Sequence, residues 1–209
     1  DHVEVLIAGG GPAGCAVAIG LRAMGYRALL VHSPRPWDCC EGVSDRTRQG
    51  LINAGLTRAA ALVPPPARRR VDWNGEQSDA NGERLVLRQT FDRALLEDIA
   101  AAGVNALPGR VRSLNPTAGE PVLAAIDTAG SPAPLQISCD FFVEARGRAA
   151  PGGEGGSLRG PDTVSLLQRR RGALSEPGTR VCSAESGWVW QASRDGENHF
   201  VQVTVDPKQ

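Results

Sequence analysis

The sequence predicts an α/β fold in which a parallel β-α-β unit opens the chain and leads into a strand-rich, antiparallel sheet. Three observations carry this reading. Residues 3–8 form a short aliphatic run that stops at Gly9-Gly10-Gly11, the pattern of a buried strand ending in a tight turn. Ala13, Ala16, Val17, Ile19, Gly20 and Leu21 then recur at helical spacing, with Gly25 placed to end the helix. A second strand at 26–32, with the aliphatic Ala28-Leu29-Leu30-Val31 at its centre, completes the unit, and most later segments are short strands between Gly- and Pro-rich turns.

The remaining elements follow in order. Pro34 and Pro36 break regular structure, and a helix resumes at 44–45 with Ser44 as N-cap, running to Gly55. After Pro64-Pro65-Pro66, strands at 70–73 and 83–88 form an antiparallel excursion. Leu95, Leu96 and Ile99 place a helix over 92–102, and strands follow at 110–114, 122–127, 135–138 and 141–145. The glycine-rich stretch 147–160 reads as a mobile loop, and 163–170 and 187–205 as strands of a different region. The expected division is a nucleotide-binding domain over 1–160, with its β excursion at about 68–88, and a truncated β-sheet domain starting at 161–209.

Bulk properties narrow the function. With 209 residues and 41% hydrophobic content the chain can bury a real core, and 23 basic residues balance 23 acidic ones. Such a balance gives no electrostatic footprint for nucleic acid or an anionic membrane. Lys208 is the single lysine, which excludes an internal catalytic lysine. Cys15, Cys39, Cys40, Cys139 and Cys182 lack the paired spacing of a zinc site, so no metal is expected and a reduced, cytoplasmic protein is. No window approaches the apolar length of a membrane span.

Gly9-Gly10-Gly11-Pro12-Ala13-Gly14 satisfies the G-x-G-x-x-G pattern in its proper context, after a strand and at the start of a helix. Gly9 serves the tight turn, Gly11 lets backbone approach a pyrophosphate, and Gly14 allows close helix-strand packing. The phosphates would rest on the helix start at Pro12 and Ala13. This is a Rossmann-like dinucleotide-binding unit. The second strand ends in His32 where an acidic residue ordinarily holds the ribose. A neutral imidazole can accept one such bond; alternatively His32 only ends the strand and the ribose is held by backbone or by Arg35.

Several segments together resemble the p-hydroxybenzoate hydroxylase-like flavoproteins, the group of aromatic monooxygenases, tryptophan halogenases and geranylgeranyl reductases. They are the Gly9 loop, Glu41-Gly42-Val43-Ser44 with Ala54-Gly55-Leu56, Arg88-x-x-Phe91-Asp92-x-x-Leu95, Glu144-Ala145-Arg146-Gly147-Arg148, and Gly187-Trp188-Val189-Trp190. The resemblance looks closest to monooxygenases that modify protein-bound tryptophan during quinone-cofactor maturation, such as the group serving quinohemoprotein amine dehydrogenase. It implies FAD as cofactor, with Gly42 near the flavin, Arg88 near the ribityl-pyrophosphate, the Val111 backbone near adenine and Gly147 beside the dinucleotide cleft.

The chemistry the resemblance implies is reduction of FAD by NAD(P)H, reaction with dioxygen to a flavin hydroperoxide, and hydroxylation of an aromatic ring. The substrate would be a small aromatic molecule or a protein or peptide side chain. No catalytic residue can be named: Glu41, Asp45 and His199 are polar candidates, each also readable as a surface or capping residue. The family's later Gly-Asp-Ala flavin motif has no counterpart, so the chain reads as the first half of a longer flavoprotein. Two rival readings stand beside the monooxygenase: an FAD-dependent reductase or dehydrogenase resembling the geranylgeranyl reductases, and a flavin-binding module without catalysis.

Overall fold

The computed structural model describes residues 1–151, 162–172, 177–194 and 198–208. In chain order it contains β1 (His2–Ala8), α1 (Pro12–Ala23), β2 (Ala28–His32), β3 (Cys40–Val43), α2 (Asp45–Asn53), α3 (Thr57–Ala61), β4 (Ala67–Trp73), β5 (Glu76–Leu87) and α4 (Arg88–Ala101). There follow β6 (Asn105–Pro108), β7 (Arg110–Asn115), β8 (Val122–Asp127), β9 (Leu135–Glu144), β10 (Val164–Arg171), β11 (Gly178–Ala184), β12 (Gly187–Ser193) and β13 (Asn198–Val205). The fold is the α/β class that the glycine loop and aliphatic runs predict, with a Rossmann-like unit and a second, mainly antiparallel sheet.

The first compact unit comprises Asp1–Pro36, Gln49–Ala61 and Thr90–Pro151. Its sheet has the order β6-β2-β1-β9-β8-β7. Strands β2 and β9 flank β1 in parallel register, Ala8 facing Val31 on one side and Glu144 on the other. A strand buried on both faces needs a continuous apolar run rather than alternation. Val5, Leu6, Ile7 and Ala8 supply one, each at most 3% exposed. Leu6, Val31, Val111, Ala124, Ile126 and Ile137 gather into one core cluster on this sheet. Full burial of aliphatic side chains of this size contributes about 1.5–3 kcal/mol each.

The second unit comprises Trp37–Arg48, Leu62–Gln89 and Gly152–Gln209. Its sheet has the order β10-β13-β12-β11-β4-β5-β3, with β11 and β4 parallel and the remaining neighbours antiparallel. Phe200 is fully buried and packs with Cys40, Leu85 and Ala192. The excursion that the sequence attaches to the first domain pairs instead within this sheet, through the β4–β11 register of Val71 with Val181. The reason is hydrogen bonding: a lone hairpin leaves an edge of unpaired amides, and β11 supplies their partner.

Other boundaries shift for similar causes. The strands expected at 135–138 and 141–145 are one, β9, because Cys139 is fully buried and pairs with Val3 on one side and Val122 on the other. Strands β6 and β11 and helix α3 carry no periodic signal and form against partners distant in sequence. Ser44 caps α2 as read, its Oγ accepting from the Thr47 N–H at 3.1 Å. Of the expected loop over 147–160, Gly147–Ala149 is a short 3-10 turn and residues from 152 onward lie outside the described ones. No described helix is long and apolar enough to cross a membrane.

Candidate functional site

The first unit builds its candidate site at the carboxyl ends of β1, β2 and β9, where a parallel sheet with a change of strand direction leaves a crevice. Gly9 follows β1 with φ +119°, and its N–H donates to the Val31 carbonyl at 2.8 Å. A Cβ there would collide with the Ala145 carbonyl, and a Cβ on Gly14 would collide with the Gly9 carbonyl. Gly11 differs. It is the N-cap of α1 in ordinary extended geometry, and a Cβ added to it would meet nothing within 4 Å. Packing explains Gly9 and Gly14, whereas the chain itself gives no reason for Gly11.

Helix α1 begins with Pro12, has no side-chain cap and carries no acidic residue in its first turn. Neither a cap nor an acidic side chain of its own first turn offsets the positive end of its dipole there. Pro12 at the first helical position removes an N–H that would have no helical partner, while Ala13 and Gly14 follow in the first turn. A helix start of this kind, open in front of Gly11, fits the pyrophosphate of a dinucleotide such as FAD.

His32 ends β2 beside this loop. It is half-buried, and burial pushes its imidazole below the ordinary histidine range. The ring is therefore neutral at pH 7, the state that can accept a ribose hydroxyl. Arg35, the other candidate, is drawn to Asp92, with Nε 3.3 Å from the carboxylate.

At the end of β9 the Arg146 guanidinium lies across both oxygens of Glu144 and donates from Nη1 to the Val111 carbonyl at 3.1 Å. The Arg146 hydrogen bond holds the Glu144 carboxyl below its usual range, and the arginine is raised in turn. This contact joins β7 to the loop that Gly147 continues with φ +59°. Val111 itself is buried in the core, so only its backbone faces that contact. Gly9, Gly11, Pro12, Ala13, Gly14, His32, Val111 and Gly147 thus belong to one end of one sheet.

Gly42 and Arg88 lie in the second unit. Gly42 on β3 pairs with Leu85 of β5, and a Cβ there would meet the Glu83 carboxyl at 3.2 Å. Arg88 opens α4. Its N–H donates to the Cys39 carbonyl at 2.9 Å, and its Nη1 to Glu41 at 2.6 Å. The arginine before a helix start is thus bound to an acidic neighbour of Gly42.

Trp188 and Trp190, two apart on β12, share a face of the sheet. With Trp73, Arg69 and Glu83 they line a cleft of about 450 Å³. Trp190 also packs on the Phe200 core, so it serves both lining and packing. Cys40 opens on the same cleft, but burial pushes its thiol up to about 12, which keeps it protonated and unreactive at neutral pH.

The three polar candidates have structural partners: Glu41 binds Arg88, Asp45 binds Arg84, and buried His199 meets the Gly172 carbonyl. Sequence reasoning passed over Gly10, Arg146, Arg69 and Glu83. Gly10 carried a signal as the variable position inside the glycine loop and Arg146 as part of the 144–148 motif, while Arg69 and Glu83 carried none. Among the described residues no group of three His, Cys, Asp or Glu side chains could hold a metal ion.

No protein-family model and no curated protein sequence matches the chain. Solved structures do. The fold is that of FAD-dependent flavoproteins, and the chain resembles the flavoprotein monooxygenase family. Within it the chain is similar to QhpG, a peptidyl tryptophan dihydroxylase essential for tryptophylquinone cofactor biogenesis. Identity is 40% over 99% of this chain and 46% of that one, with a TM-score of 0.83.

A flavoprotein/dehydrogenase from Cytophaga hutchinsonii shares the fold at 22% identity, over 100% of this chain and 56% of that one (TM-score 0.78). So does the flavin-dependent brominase Bmp2, at 19% identity over 100% and 57% (TM-score 0.78). The chain spans about half the length of these structures.

Proposed function

We propose that the protein hydroxylates an aromatic ring in an FAD-dependent monooxygenase reaction, with NADH or NADPH as reductant and dioxygen as co-substrate, and that the ring is a tryptophan side chain in a polypeptide. The observation that carries this reading is the 40% identity to a peptidyl tryptophan dihydroxylase, spread over 99% of the chain. When bound, FAD supplies the two-electron reduction and the activation of dioxygen for transfer of one oxygen atom.

The chain's own residues bind and orient. Gly9, Gly11, Pro12, Ala13 and Gly14 would cradle the pyrophosphate, with Gly11 leaving the approach open. His32, neutral through burial, would accept a ribose hydroxyl. Arg146 would keep the Val111 backbone and the Gly147 turn in place, and Gly42 and Arg88 would serve the flavin and its ribityl chain. Trp73, Trp188 and Trp190 offer apolar faces on which an aromatic ring can be held away from water. The free state of all five cysteines fits a reducing, cytoplasmic setting.

The test uses the full-length protein. After FAD is added and the excess removed, flavin absorbance should persist. A tryptophan-containing peptide should then stimulate NAD(P)H-dependent oxygen uptake and gain the mass of oxygen. Flavin reduction without stimulated oxygen uptake, coupled to anaerobic turnover of an unsaturated substrate, would move the assignment to the reductase class. Bound flavin that no nicotinamide reduces would leave a binding module.

A further inference from the structure

The tryptophan-lined cleft contains a polar feature that neither cofactor binding nor ring packing uses. Arg69 of β4 and Glu83 of β5 both line it, and they meet through Nη1 and Oε1 at 3.1 Å. Their side chains are 37% and 21% exposed, so both reach the cleft. Yet Arg69 Nε, a donor, and Glu83 Oε2, an acceptor, are sealed from water and have no hydrogen-bond partner among the described residues. Leaving such groups unmet is costly, and more so on charged side chains. The missing Cβ of Gly42 is what gives the Glu83 carboxyl its place, since that atom would press on Cδ and Oε1 at 3.2 Å.

We propose that Arg69 and Glu83 form a specificity-determining subsite for the backbone N–H and C=O of the aromatic residue, so that the cleft takes that residue embedded in a polypeptide in preference to the bare ring. The proposal rests on the reading of the cleft as the place of the aromatic ring. An extended residue within a polypeptide presents its own N–H donor and C=O acceptor on one side, the complement of one unmet acceptor and one unmet donor. Glu83 Oε2 would accept the N–H of the aromatic residue, and Arg69 Nε–H would donate to the C=O of the same residue. A torsional adjustment of these two half-open side chains brings the atoms to the cleft surface. Neutral backbone groups enter the cleft without the desolvation cost that the ammonium and carboxylate of a free amino acid carry.

The experiment titrates the flavin-loaded, full-length protein calorimetrically with three probes: N-acetyltryptophan amide, free tryptophan and 3-methylindole. The amide probe should bind about tenfold or more tightly than 3-methylindole, a discrimination of about 1.4 kcal/mol. It should also bind more tightly than free tryptophan. The double variant Arg69→Met/Glu83→Met removes the pair without stranding a charge, and should erase the amide preference while 3-methylindole binds as before. Equal affinity of the native protein for the amide and 3-methylindole overturns the proposal without needing any variant to fold. A double variant that weakens both probes alike overturns it too, because the pair is then structural. If 3-methylindole binds and is lost in Trp190→Ala but the amide gives no advantage, the cleft reading stands and the amide subsite falls. Binding of none of the probes overturns both.

Discussion

A Cβ on Gly10 would stand 2.6 Å from the Cβ of His32. The variable position of the glycine loop is thus held small by the residue that replaces the usual ribose-binding acid. Because burial lowers the His32 pKa, the unfolded chain binds the proton more readily than the folded one. Folding stability therefore loses nothing above the unfolded value of about 6.5 and declines as pH falls through it. FAD affinity should fall over the same range if the neutral ring accepts a ribose hydroxyl. His32→Asn should flatten both pH profiles near pH 6 in chemical denaturation and flavin titration. A profile unchanged by the substitution would remove His32 from the site.

Gly11 and Gly14 make opposite predictions from one motif. Gly14→Ala drives a Cβ into the Gly9 carbonyl and should destabilise the protein without any ligand by about 2 kcal/mol or more. Gly11→Ala meets open space at an ordinary φ of −80°, so its unfolding midpoint should match that of the native chain. Its affinity for FAD should nonetheless drop by about tenfold or more, because the new methyl stands where the pyrophosphate approaches. Midpoints from denaturant melts, set beside flavin titrations, check both; a Gly11→Ala variant that binds FAD normally would place the pyrophosphate elsewhere.

Asp98 caps a helix to which it is not adjacent in sequence. Only 3% exposed, it accepts the Arg58 N–H at 3.1 Å and the Ala59 N–H at 3.0 Å at the start of α3. Asp98→Ala leaves both donors unmet and should lower the unfolding free energy by about 2–4 kcal/mol, with Asp98→Asn losing less. A denaturant midpoint that falls at constant slope is the expected readout.

The parts legible in the sequence were those whose cause is local. Residues 3–8 read as a buried strand because Val5, Leu6, Ile7 and Ala8 run without a break into the glycines, Glu4 being the one polar residue before them, and the Gly9 turn with the Pro12 start follows from steric limits that act between near neighbours. Helix α4 was legible through Leu95, Leu96 and Ile99, of which Leu95 and Ile99 are buried together with Phe91. The short β6, with Asn105 and Pro108 at its ends, offers no such pattern; it is a strand because β2 presents it with an open edge. The same holds for β11, which exists as the link between β4 and β12.

The sequence by itself determined the class of fold and the glycine loop between the first strand and the first helix, because glycine geometry, helix dipole and apolar run length are properties of adjacent residues. Only the tertiary structure decided that Arg146 holds the Val111 carbonyl, that Glu83 lies across Gly42, and that β3, β4 and β5 share a sheet with the tryptophan strand β12. These depend on strand order and register, which bring together side chains far apart in the chain. Pairing energy between such residues leaves no mark on the spacing of either one's neighbours, so it becomes visible only once the sheets are assembled.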